Sequence, residues 1–233
     1  MAGRKRPAHA RRGAQAHGDG LAKFARSRWA RIGLPALCVL FALVAVGAFA
    51  FPALSDLYAN QRQHALAAQL DDPALGNQVA AVGDGKPIGR ILIPAIGLNM
   101  VLVQGTDTSD LEEGPGHYPG SPMPCTVGDV AIAGHRTTYL HPFYNLNELS
   151  PGDLVELETP TSSCDYAVSQ PPFAVLPTDV SVVDDTPGLY TITLTTCTPR
   201  GSASHRLVVK GVLLPGSLRA TKSLGAPEPL RER

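Results

Sequence analysis

The chain of 233 residues has a formal net charge of zero, 44% hydrophobic residues and four cysteines. The neutral total hides an asymmetry: residues 1–31 hold nine of the twenty Lys and Arg residues and one acid, a charge of +8, which leaves −8 for the remainder. No aromatic residues are interleaved with the first basic clusters, so the arm gives no reason to expect nucleic acid as a partner.

An uncharged stretch follows the arm, from Ile32 to Leu54. About 20 apolar residues are enough for a helix to cross the ~30 Å hydrocarbon core of a bilayer. We therefore predict a transmembrane signal anchor at 32–54. Arginines precede this stretch and Asp56 follows it, so residues 1–31 should be a cytoplasmic arm and the rest of the chain should lie outside the membrane.

A cleaved signal peptide is the alternative interpretation of the same stretch. Ala48-Phe49-Ala50 has the small-x-small spacing of a cleavage site. However, the apolar run exceeds the roughly 7–15 residues of a signal peptide, and Pro52 lacks the N–H that an extended peptidase substrate would offer. An uncleaved anchor is favoured.

Residues 55–87 are predicted to be an extracytoplasmic stalk and linker. The segment 55–75 is rich in helix formers and contains no glycine, and the helix should stop at Asp72-Pro73. Residues 76–86 resemble a linker, and the polar segment 215–233 at the other end is predicted to be a flexible tail.

The segment 88–214 has the pattern of a mainly β domain. Short β-branched runs alternate with Pro, Gly, Asn and Asp clusters, which is typical of a single closed or sandwiched β domain. Short helices are expected at 107–113 and 142–149. The predicted strands are Ile88–Pro94, Asn99–Gln104, Asp129–Ala133, Leu154–Glu158, Asp165–Gln170, Leu189–Thr196 and Arg206–Leu214.

Three of the four cysteines fall in this exterior domain. Cys38, in the apolar stretch, is most simply a small hydrophobic residue. Cys125 and Cys164 lie in polar segments, where a disulfide and two free thiols are both open alternatives. No Cys-x-x-Cys or His-x-x-x-His pair is present, so we expect neither a metal site nor a cofactor.

Cys197 is the third exterior cysteine, and it ends a strand-like run. Arg206 opens the next run, and Arg200 in the intervening turn is the alternative guanidinium. A thiol near cationic groups is a candidate nucleophile, which needs a histidine partner. His135 ends the apolar run 129–133 after one glycine, so it too is expected at the tip of a strand.

These residues resemble the sortase family of membrane-anchored cysteine transpeptidases. The resemblance is carried by Ala133-Gly134-His135, by Thr193-Leu194-Thr195-Thr196-Cys197 and by Arg206, and it covers about 88–214. The segments 114–120, 135–139 and 142–149 are similar to class E, the housekeeping sortases of high-GC actinobacteria. The resemblance implies a closed sortase-type β-barrel.

The resemblance also implies a reaction and its partners. Cys197 would cleave a sorting signal of the Leu-Ala-x-Thr-Gly or Leu-Pro-x-Thr-Gly type between Thr and Gly and hold the surface protein as a thioester. The amine of a cell-wall precursor would then release it. His135 would act as general acid and base, and Arg206 would stabilise the oxyanion. Adjacency to these residues suggests four substrate-binding candidates: Thr137, Thr138, Tyr139 and Thr196.

Two alternatives remain open at this stage. A pilus-assembling sortase often carries a lid with Asp-Pro followed by an aromatic residue, whereas Asp72-Pro73 is followed by Ala74, so housekeeping anchoring is favoured. The other alternative is a tethered β domain that binds wall or protein partners without catalysis, with Cys197 merely buried.

Overall fold

The computed structural model describes residues 28–71 and 83–221. The start of the basic arm, the Asp72-Pro73 helix stop, most of the linker and the end of the tail lie outside the described residues. The chain divides into two compact units, 1–51 and 52–233.

A long helix, α1, covers Arg28–Leu70 and contributes to both units. In the first unit its side chains from Ile32 onward are exposed almost throughout, including Phe41 and Phe49. Among the described residues it is the one helix long and apolar enough to cross a membrane. An apolar surface of this kind is stable in a lipid environment, which agrees with the predicted anchor.

The second unit is built around a closed barrel of eight strands, counted over the described residues. The ring strands are β1 Pro87–Ile93, β2 Leu98–Gln104, β3 Gly116–His117, β4 Gly128–Ala133, β5 Leu154–Glu158, β6 Ser162–Val168, β8 Tyr190–Thr198 and β9 His205–Leu213. Neighbouring strands follow the order β1–β2–β3–β4–β8–β9–β6–β5, and the β5–β1 pairing closes the ring. The predicted mainly β, closed fold is confirmed.

Two further strands pair with members of the ring without being part of it. β7, Phe173–Val175, pairs with β9, and β10, Arg219–Ala220, pairs with β6. Strand pairing thus continues beyond residue 214, where the β domain was predicted to end. Short strands such as β3, β7 and β10 carry too few residues to show an alternating pattern, which is why the sequence did not reveal them.

Short helices fill the connections between strands. A helix of one turn, α2, covers Thr108–Leu111, within the predicted 107–113. The predicted helix at 142–149 is reduced to a 3-10 turn at Leu146–Glu148. Two further 3-10 turns cover Pro94–Ile96 and Val180–Val183.

The barrel interior is one hydrophobic cluster. Inward-facing residues from β1, β4, β5 and β8, such as Ile91, Ile132, Leu157 and Ile192, are at most 1% exposed. At about 25 cal/mol per Å² of buried apolar surface, this cluster is the main favourable contribution to folding. It fixes the strand ends on which the site depends.

Cys125 and Cys164 form a disulfide, with Cα atoms 5.6 Å apart. Both are buried, and Cys164 lies on β6 opposite Leu157 of β5. Of the two alternatives that the sequence left open, the bonded one is therefore present. The bond ties the segment between β3 and β4 to the opposite side of the barrel wall.

Candidate active site

The hairpin β8–β9 brings Cys197 and Arg206 together. In the antiparallel register, Cys197 lies directly opposite Arg206, and Thr198 lies opposite His205. Residues directly opposite each other place their side chains on the same face, with Cβ atoms about 4.5–5.5 Å apart. The free thiol and the guanidinium are both partly exposed at this end of the barrel.

A parallel pairing brings His135 to the same end. β4 and β8 run parallel, with Ala133 opposite Thr195 as the last pair. Just beyond it, the Gly134 N–H donates to the Thr195 carbonyl at 3.1 Å, and the Thr196 hydroxyl donates to the Gly134 carbonyl at 2.7 Å. Continuing this register by two residues puts His135 level with Cys197.

The imidazole of His135 is half-buried and is covered on one face by a residue of its own loop. The ring of Tyr139 stacks on it with centroids 5.4 Å apart. Among the described residues no hydrogen-bond partner contacts its buried Nε2 atom. Burial lowers the pKa of His135, and the carboxylate of Glu112 opposes that shift in part. A lowered pKa favours the neutral imidazole near pH 7, and a neutral imidazole can accept a proton.

Arg200 and Arg206 have different partners, which separates the two candidate guanidinium groups. Arg200 donates to the Tyr144 carbonyl and the Asn147 side chain, lies 4.0 Å over the Tyr144 ring and pairs with Glu148. Arg206 donates only within its own turn, to the carbonyls of residues 203 and 205, as far as the described contacts go. Arg206 is therefore the group that remains available beside Cys197.

The four predicted substrate-binding residues occupy two different environments. Thr137 is exposed, and Thr138 and Tyr139 are partly buried on the loop that follows His135. Thr196 is 3% exposed and its hydroxyl already donates to Gly134, so its observed contact joins β8 to the end of β4. This contact supports a structural contribution from Thr196.

Arg136 is a site residue that the sequence analysis did not single out. It is 6% exposed, and its guanidinium donates to the Cys197 carbonyl at 3.2 Å, the Tyr144 carbonyl at 3.0 Å and the Asn147 amide oxygen at 2.6 Å. Its position directly after His135 in the sequence is the signal from which a contribution to the site could have been predicted. Arg136 holds the backbone at Cys197 through the carbonyl oxygen, and this hydrogen bond does not involve the thiol.

No group of three or more His, Cys, Asp or Glu side chains that could hold a metal ion is found in residues 28–71 and 83–221. The chemistry that the site offers is that of a thiol, an imidazole and a guanidinium at one barrel end. This combination suits nucleophilic attack on a carbonyl followed by proton transfer to a leaving amine.

Comparison with known proteins gives a consistent result. Residues 91–214 match the family model of the sortase domain. The chain is 31% identical over 194 residues to Sortase SrtE1 of Streptomyces coelicolor, a match that covers 74% of this chain and 54% of that relative. The chain thus spans about half the length of that relative.

Solved structures show the same fold. Sortase E from Streptomyces avermitilis superimposes with a TM-score of 0.55 at 36% identity, covering 64% of this chain and all of that one. A sortase D5 transpeptidase from Clostridium perfringens gives a TM-score of 0.59 at 27% identity, covering 66% of this chain and 97% of that one. The similarity to Streptomyces sortases E agrees with the class E motifs.

Proposed function

Because this chain belongs to the sortase family, we propose that it is a membrane-anchored cysteine transpeptidase with Cys197 as nucleophile, His135 as general acid and base, and Arg206 as oxyanion donor. The observation that carries the proposal is the pair of strand registers around β8. One sets Arg206 opposite Cys197, and the other leads His135 to the same level.

The first half of the reaction is acyl transfer to the thiol. Neutral His135 takes the proton of Cys197 as Sγ attacks the Thr carbonyl carbon of the sorting signal. Arg206 donates hydrogen bonds to the oxyanion that develops, an interaction worth on the order of 3–4 kcal/mol in the transition state. The imidazolium then gives its proton to the departing glycine amine, the C–N bond breaks, and a thioester remains.

The second half of the reaction reverses the roles. The amine of a cell-wall precursor attacks the thioester carbonyl, and His135 accepts a proton from that amine. The C–S bond breaks, the thiolate regains the proton, and the surface protein is left joined through a new amide bond. Leu-Ala-x-Thr-Gly is the proposed signal, with Leu-Pro-x-Thr-Gly as the related sequence to compare.

Location follows from the sequence around the apolar helix. The cationic arm precedes the span 32–54 and Asp56 follows it, so we propose a single-pass protein with a cytoplasmic N-terminus and an extracytoplasmic catalytic domain. The partners would be surface proteins that carry a sorting signal and a lipid-linked precursor that carries the amine.

The test is transpeptidation by the full chain in detergent micelles. The protein is mixed with a Leu-Ala-x-Thr-Gly peptide and an oligoglycine amine, and products and thioester adducts are identified by mass spectrometry. We expect both in the wild type and neither with Cys197→Ala. Absence of product and adduct with this peptide and with Leu-Pro-x-Thr-Gly would contradict the proposal and favour a binding domain.

Arg206 and Arg200 provide a matched pair for the oxyanion role. Arg206→Ala should lower kcat by about 10²–10³-fold, because the charge that faces the reacting carbonyl is lost. Arg200→Ala should lower it by less than about tenfold, because Arg200 is bound to the 144–148 segment. An equal loss of kcat in the two variants would contradict the assignment of Arg206 as the oxyanion donor.

A further inference from the structure

The part of α1 that belongs to the second unit packs one face against the barrel. Ala59, Leu66 and Leu70 are buried, and the two leucines contact Val101 and Val103 of β2. These positions recur at the spacing of one helix face. The helical part of the predicted stalk is thus packed against β2 in the structure.

Gln63 fixes the position of this helix along β2. β3 pairs with β2 only at Val103 and Gln104, so the backbone of Val101 has no strand partner on that side. The Gln63 amide takes the place of a strand: it donates to the Val101 carbonyl at 3.1 Å and accepts from the Val101 N–H at 2.7 Å. It also donates to the Glu113 carbonyl at 2.8 Å.

Asp56 lies two helical turns before Gln63, on the same side of α1. Its carboxylate accepts a hydrogen bond from the Leu140 N–H at 2.7 Å and lies 3.8 Å from Nδ1 of His141. Tyr139, Leu140 and His141 have φ angles of 52°, 62° and 38°. These are values of the left-handed region, which non-glycine residues rarely adopt. Three successive residues keep this conformation only where contacts with the surrounding structure stabilise it.

The same turn reaches the imidazole of His135 through Tyr139. The Tyr139 ring stacks on His135, and its hydroxyl donates to Glu112 at 2.9 Å. Nε2 of His135 has no hydrogen-bond partner among the described residues, so protein contacts orient the ring by packing rather than through that atom. The backbone conformation at 139–141 therefore helps to set the position of the Tyr139 ring that packs on the imidazole.

We infer that Asp56 is a positioning residue for His135, acting through the 139–141 turn and the Tyr139 ring. The carboxylate holds the turn from the part of α1 that follows the apolar span, and the turn holds the Tyr139 ring that stacks on the imidazole. This inference rests on the proposed function, because it needs His135 to take part in the reaction.

A double-mutant cycle tests the inference on the full chain in detergent micelles. The wild type, Asp56→Ala, His135→Ala and the double variant are acylated with an aryl ester of Leu-Ala-x-Thr. Its leaving group departs without protonation, which keeps a measurable rate without His135. We expect Asp56→Ala to slow acylation about tenfold when His135 is present and less than about twofold when it is absent, since no imidazole remains to be oriented. An equal loss in both backgrounds would mean a general structural defect and overturn the inference.

Two further variants separate positioning from folding. Asp56→Asn keeps an acceptor for the Leu140 N–H and should stay within about threefold of the wild type, with KM for the peptide unchanged; a rate as low as that of Asp56→Ala contradicts the inference. Asp71→Asn is the matched control, because Asp71 pairs with Arg90 at 3.8 Å and touches no residue of the turn among the described contacts. It should acylate at the wild-type rate.

The outcomes also distinguish this inference from the proposed function. If His135→Ala abolishes peptide cleavage while Asp56→Ala cleaves normally, the positioning role is wrong and the transpeptidase proposal stands. If His135→Ala itself cleaves normally, the proposed function fails first.

Discussion

Arg136 binds three groups from two segments around the site: the carbonyl of Cys197 on β8, and the carbonyl of Tyr144 and the side chain of Asn147 on the 144–148 segment. Burial is the main reason that its pKa is lowered, followed by the charge of Arg200. A buried arginine is tolerated where its donors are satisfied by well-placed acceptors. Its contacts keep the cysteine backbone in place while the thiol remains free.

Gly134 is a second residue whose type is dictated by its contacts. A Cβ atom at this position would lie 2.7 Å from the ring of Phe143, which is fully buried. The Phe143 N–H also donates to the His135 carbonyl at 3.1 Å. A larger residue at 134 would therefore move the peptide that carries His135.

Gly134→Ala should lower both stability and activity. The methyl group forces Phe143 from its site, at a cost of about 1–3 kcal/mol, and the displaced His135 should slow thioester formation at least tenfold. Chemical denaturation and single-turnover mass spectrometry measure the two effects. Gly83→Ala is the control, because a Cβ there meets nothing within 4 Å. Wild-type activity in Gly134→Ala would contradict this account.

At the scale of elements, the site depends on strand ends rather than on whole strands. β4 delivers His135 through a parallel register and β9 delivers Arg206 through an antiparallel one, with β8 between them. A one-residue slip in either pairing would turn the side chain to the other face. The Thr196–Gly134 hydrogen bond and the Tyr118–Thr195 contact at 2.9 Å help to fix this register.

The disulfide stabilises the segment that connects β3 to β4. Cys125 and Cys164 close a loop of 39 residues, and the chain-entropy model assigns such a loop about 4 kcal/mol. Replacing both cysteines with serine should lower the free energy of unfolding by roughly that amount, while thioester formation at low temperature continues. Cys38→Ser is the matched control for loss of a thiol. An unchanged denaturation midpoint in the double variant would show that the bond does not contribute.

At the scale of the whole molecule, buried histidines make the stability of the barrel depend on pH. His117 on β3 is 1% exposed, and its ring nitrogens lie 3.0 Å from Oε1 of Gln104 and 2.9 Å from the Pro122 carbonyl. Burial lowers the pKa of His117, and the hydrogen bond to Pro122 opposes the shift. The unfolded chain therefore binds a proton at a higher pH than the folded one.

Stability should accordingly fall as the pH drops below the ordinary histidine range. Between the ordinary and the lowered pKa the unfolded state binds more protons, so the free energy of unfolding rises with pH, by at most about 1.4 kcal/mol per pH unit for His117. His135 contributes in the same direction. Denaturation at a series of pH values from 7.5 to 5 measures the slope, which should be smaller in His117→Gln. A slope that His117→Gln leaves unchanged would show that His117 is not its source.

The sequence by itself determined what local patterns encode. Alternating and β-branched runs predicted the seven longer strands, an uncharged stretch predicted the apolar helix, and the motifs around His135 and Cys197 predicted the family. Each of these signals is contained in a short segment, where side-chain periodicity and composition decide the outcome.

Only the tertiary structure decided how distant segments meet. The bond between Cys125 and Cys164, the contacts of Arg200 with the 144–148 segment, the contacts of Arg136 and the contact of Asp56 with Leu140 all join residues from different elements. Local periodicity carries no information about which partner a side chain finds, because that choice depends on strand register and packing across the barrel.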